Sequence, residues 1–96
     1  MIEIDGRSLD DVFEIENVVF ATLVYQPRSH KFHAARKALH ALGASYRPEL
    51  RAWELSVNDD TIKPLQRLYE RTSMALWVIE DGDELTAESF ERYERM

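Results

Sequence analysis

Ninety-six residues, 45% hydrophobic and 31% charged with a net charge of −6 and no cysteine, describe one globular domain. Disulfides, thiolate zinc sites and cysteine nucleophiles are thereby excluded. Met1-Ile2-Glu3-Ile4-Asp5 lacks the basic flank and apolar run of a secretory signal, and the longest apolar stretch, Val18 to Tyr25, is too short to span a bilayer. A cytoplasmic protein with no membrane partner is expected.

Met1 to Ile4 predicts a short strand ending in the turn Asp5-Gly6. Ser8 to Phe13 reads either as a helical turn capped by Ser8 or as loop. Val18 to Tyr25 is rich in β-branched and aromatic residues and apolar on both alternating faces, as in a central buried strand. Pro27 closes it. Ser29 then caps a helix whose inner stripe is Phe32, Ala35, Leu39 and Leu42, with Gly43 as its stop.

Ala44 to Arg47 and Ala52 to Val57 predict two strands joined across Pro48-Glu49-Leu50-Arg51. In the second, Trp53, Leu55 and Val57 form the buried face. Asp59-Asp60-Thr61 is expected to cap the next helix, which tolerates Pro64 in its first turn and faces inward with Ile62, Leu65, Leu68 and Tyr69. Met74 to Glu80 predicts a third strong strand. After the turn Asp81-Gly82-Asp83, Thr86 caps a last short helix stapled by Leu85 and Phe90. The expected fold is α+β: a mainly antiparallel sheet with helices on one face, of split βαβ or ferredoxin-like order.

No constellation of catalytic residues emerges. His33 and His40 share a helix face with Lys37 and with no carboxylate to complete a metal site, so a solvated face is expected there. Asp59 and Asp60 are explained by capping, and Asp81-Gly82-Asp83-Glu84 lacks the ligand spacing of a calcium loop. Gly6, Gly43 and Gly82 build no phosphate-cradling loop. Neither an enzyme nor a cofactor is expected.

The charge layout carries the functional signal. Residues 1–25 set one base against six acids, and residues 52–96 set five against eleven. Residues 26–51 reverse this, with Arg28, Lys31, Arg36, Lys37, Arg47 and Arg51 against Glu49 alone. Cations beside Tyr46 and Trp53 suit a phosphate backbone and an unstacked base.

The stretch from Arg36 to Leu55, with Tyr46, Pro48 and Trp53 in its turn and strand and Leu65 and Leu68 in the following helix, resembles the HARP domain of annealing helicases over roughly residues 32–70. That resemblance implies recognition of forked or branched DNA without chemistry. The expected function is a non-catalytic nucleic-acid-binding or accessory module using those six basic residues. The alternative is a small protein-interaction module, such as a phage-type or bacterial inhibitor, that docks on a larger partner through the acidic residues Glu84, Glu88, Glu91 and Glu94. An exposed strand edge would also allow a homodimer.

Overall fold

The computed structural model describes residues 2–11 and 17–79. They form an α+β fold whose five-stranded sheet is antiparallel throughout. The strands are β1 (Ile2–Ile4), β2 (Val18–Leu23), β3 (Ser45–Arg47), β4 (Ala52–Ser56) and β5 (Met74–Val78), in the order β1-β5-β2-β4-β3. Helix α1 (His30–Ala41) connects β2 to β3, and α2 (Ile62–Arg71) connects β4 to β5. Each helical crossover skips one strand, since β4 lies between β2 and β3, and β2 lies between β4 and β5.

The double-faced apolar run expected at residues 18–25 is the middle strand, shortened to Val18–Leu23. Val19, Ala21 and Leu23 face the helices, packing with Leu55, Met74 and Leu76 of the sheet and with Ala35, Leu39, Ile62 and Leu65 of α1 and α2. Phe20 faces the other way, into a second buried cluster with Leu50, Ala52, Ala75 and Trp77. Thr22, on that same side, is fully buried, and its hydroxyl oxygen accepts the Trp77 indole N–H at 3.2 Å. A polar atom in a dry core needs such a partner, because leaving one unmet costs about 1–3 kcal/mol.

The ends of α1 follow local chemistry. The Ser29 hydroxyl accepts the Phe32 N–H. At the other end Gly43 takes φ 88°, while the N–H groups of Gly43 and Ala44 bond to the carbonyls of His40 and Leu39. That pair of bonds is a Schellman stop, and its left-handed residue favours glycine. The start of α2 differs from expectation. The capping oxygen belongs to Asn58, whose side chain accepts the N–H groups of Asp60 and Thr61, while the Thr61 hydroxyl donates to Ser56 O at 2.9 Å. An Asx turn one residue earlier does the work assigned to Asp59-Asp60-Thr61.

Residues 2–11 close the sheet's other edge. β1 pairs with β5 in the register Ile2↔Val78 and Ile4↔Leu76. A 3-10 turn, Gly6–Ser8, follows, capped by Asp5, which accepts the Arg7 N–H at 2.9 Å; residues 9–11 are helical, and the rest of the stretch expected from Ser8 to Phe13 lies outside the described residues. No helix among the described residues is long and apolar enough to cross a membrane. The last helix and its Leu85–Phe90 staple lie outside the described residues.

Gly6 is buried flat against the ring of Tyr69 on α2, and a Cβ there would stand 2.5 Å from two ring carbons and 2.9 Å from the Tyr69 Cβ. Because the ring's own root is in the way, rotation cannot relieve the clash. Gly6→Ala should cost about 1–3 kcal/mol, read as a lower urea midpoint with an unchanged slope.

Candidate functional site

Beyond Leu23 the chain leaves the sheet, and a turn at Gln26-Pro27-Arg28 delivers it into α1, with the Ser29 N–H bonded to Gln26 O at 2.9 Å. His33 Nε2 lies 2.6 Å from the Pro27 carbonyl oxygen, and as an N–H it ties the first turn of α1 back to this loop. The Tyr25 ring, no longer held in a strand, stands edge-on to Phe32 with centroids 5.5 Å apart. Arg36 follows Phe32 by one helical turn, which places its guanidinium 6.0 Å from the Phe32 centroid.

The hairpin of β3 and β4 supplies the facing wall. Tyr46 and Trp53 are direct cross-strand partners, with ring centroids 5.1 Å apart and planes tilted by 55°. Between the strands, the turn after Arg47 ends at Arg51. Arg51 adopts φ 54°, the one positive φ outside glycine among the described residues. The result is a cleft of about 380 Å³ lined by Leu23, Tyr25, Phe32, Arg36, Tyr46, Arg51 and Trp53. Tyr25 and Tyr46 are 70% and 47% exposed, unusually open for residues of their size, so this wall is not sealed core.

The six basic residues singled out by charge do not form one patch. Arg36 and Arg51 converge on the aromatic cleft. Arg28 is exposed in the turn before α1, beside the loop that carries Tyr25, and Lys37 is exposed on the outward side of the helix. Lys31 turns toward α2, into a different cleft. Arg47 lies with Ala52 on the sheet face opposite the helices, where it is bound by two carboxylates, Glu49 and Glu54, the latter at 2.8 Å. Those contacts raise the Arg47 pKa further, Glu49 contributing more than Glu54. The residues of the alternative interface, Glu84, Glu88, Glu91 and Glu94, lie outside the described residues.

Phe32, expected on the inner stripe of α1, packs partly buried against the core and also forms the cleft's ridge, whereas Tyr25, expected in a strand, stands on the cleft's rim. The available signal was Pro27, which forbids a sheet hydrogen bond close behind Tyr25. Among the described residues, no three histidine, aspartate or glutamate side chains group to hold a metal ion. Comparison with family models, with curated proteins and with solved structures finds no match for this chain.

Two outcomes follow from the hairpin. Glu49's carboxyl is held below its usual range, first by its own backbone N–H and then by Arg47. A depressed carboxylate stabilises the fold above the ordinary range and loses that contribution as pH falls through its folded value. In Arg47→Ala, NMR titration should show the Glu49 midpoint moving up part of the way to the free value. Arg51→Gly relieves left-handed strain but gives up the Arg51 side chain's own contacts and adds chain entropy, so stability should change by less than about 1 kcal/mol in either direction. A loss greater than that in urea melts would show that the guanidinium itself holds the turn.

Proposed function

We propose that this chain is a non-catalytic nucleic-acid-binding module whose working surface is the cleft between α1 and the β3–β4 hairpin. One observation carries the reading: four aromatic rings and two guanidinium groups, from Arg36 and Arg51, line the same open cleft. Rings with exposed faces offer stacking to an unstacked base, worth about 1–3 kcal/mol each, while arginine contacts phosphate bidentately. The cleft's volume lies within the range of roughly 300–1,000 Å³ typical of small-ligand sites, large enough for a base.

The two cations also discriminate among ligands. An aromatic cleft can hold a quaternary ammonium, but Arg36 and Arg51 in its wall repel a cation and favour an anion with a flat face. The net charge of −6 does not oppose this at physiological salt, where screening limits exposed charges to about 8 Å and the nearby guanidiniums dominate. Tyr46, Pro48 and Trp53, the positions that resemble the HARP domain, belong to the hairpin that forms the facing wall.

Trp53 lines the cleft and reports on it. Titration with a single-stranded oligonucleotide at low salt should quench its fluorescence. Tyr46→Ala should weaken binding about 5- to 100-fold, the equivalent of one lost stack. Arg36→Ala should also reduce the log–log salt slope by about 0.7. Absence of binding at low salt, or binding indifferent to both substitutions, overturns the reading.

A further inference from the structure

We infer that the ligand is a single strand that continues past the aromatic cleft, over the Phe32 ring, and into a second cleft where Lys31 and Arg71 take its backbone phosphates. The inference rests on the nucleic-acid reading of the first cleft and extends it.

The second cleft, of about 300 Å³, is bounded by the loop at Val24 and Gln26, the start of α1 and the end of α2. It shares Leu23 and Phe32 with the first, so Phe32 is the ridge between two adjoining depressions. Helical geometry explains the division. At about 100° per residue, Lys31 and Arg36 fall on opposite flanks of the buried Ala35–Leu39 stripe, one toward α2 and the other toward the hairpin.

The chemistries of the two depressions are complementary. The first is aromatic with two arginines. The second has no ring besides Phe32 and is polar, with Lys31, Arg71, the Gln26 amide and the exposed Ser73. Thr72, also in its lining, has committed its hydroxyl to the Leu68 carbonyl at 2.7 Å. Glu70 is the one acid there, leaving this lining net positive by one and the first by two. A surface of base-sized aromatic space followed by cations matches the alternation of base and phosphate along one strand.

The span also fits. The clefts lie on either side of β2, and crossing from β4 to β5 covers about 10 Å at normal strand spacing. An extended single strand covers that distance within a few nucleotides. A duplex keeps its bases stacked and would present nothing to the rings of the first cleft.

The test uses the full chain with dithymidylate, octathymidylate and a duplex of equal length. Octathymidylate should bind more tightly than the duplex. The double variant Lys31→Ala/Arg71→Ala should weaken octathymidylate binding about tenfold at low salt while changing dithymidylate binding less than twofold. Glu70→Gln should strengthen the longer ligand's binding. Each of these positions is exposed, and unchanged urea midpoints would show that the variants fold. Octathymidylate binding that ignores the double variant, yet still falls with Tyr46→Ala, overturns the second cleft and leaves the first standing. Duplex binding equal to that of the single strand overturns the single-strand inference. No binding of any oligonucleotide by the wild-type chain removes the nucleic-acid reading itself.

Discussion

The architecture depends on one constraint: β2 is apolar on both of its faces. A strand carrying Val19, Ala21 and Leu23 on one side and Phe20 on the other must be covered twice, and it must find hydrogen-bonding neighbours along both edges. The two crossover helices meet the first demand on one face. β5 and β4 meet the second, each pairing with it in antiparallel register. Thr22 is the exception within the strand, and the sheet accommodates it by aiming the Trp77 indole at its hydroxyl. Once β2 is fixed in the middle, the chain before it and after it emerges at opposite ends of the sheet. The loop at Tyr25 must then pass beside the hairpin, and the aromatic cleft is a product of that passage.

How much of this the residues announce varies with the range of the interaction. Periodicity exposes β2, α1, the hairpin and α2, because each is a local pattern with a local stop. The Schellman end at Gly43 is legible for the same reason. The cap of α2 is less legible, because Asn58, Asp59, Asp60 and Thr61 are all good capping residues and only the backbone decides which oxygen meets the free N–H groups. The partition of the cations was hidden for a different reason. A run of charge along the sequence does not reveal flank, face or partner, and Arg47 acquires Glu54 only through the diagonal of a hairpin register that no composition displays.

The distribution of charge takes a more specific form in three dimensions than along the chain. A stretch rich in bases becomes one arginine neutralised on the far side of the sheet, two beside aromatic rings, and a lysine across the Phe32 ridge. With Glu49 and Glu54 against it, Arg47 leaves the far side of the hairpin net negative by one, while Arg36 and Arg51 line the cleft on the other side.

Residue 51 is the feature with the longest reach. A left-handed turn position is ordinarily filled by glycine or asparagine, and an arginine there is retained against a steady conformational penalty. Chains of this fold that need neither the cleft nor the contacts of the Arg51 side chain would drift toward those smaller residues. Chains that still use it would keep a long cation in spite of the geometry. The identity of this single position in related sequences therefore records whether the side chain's contacts are still needed.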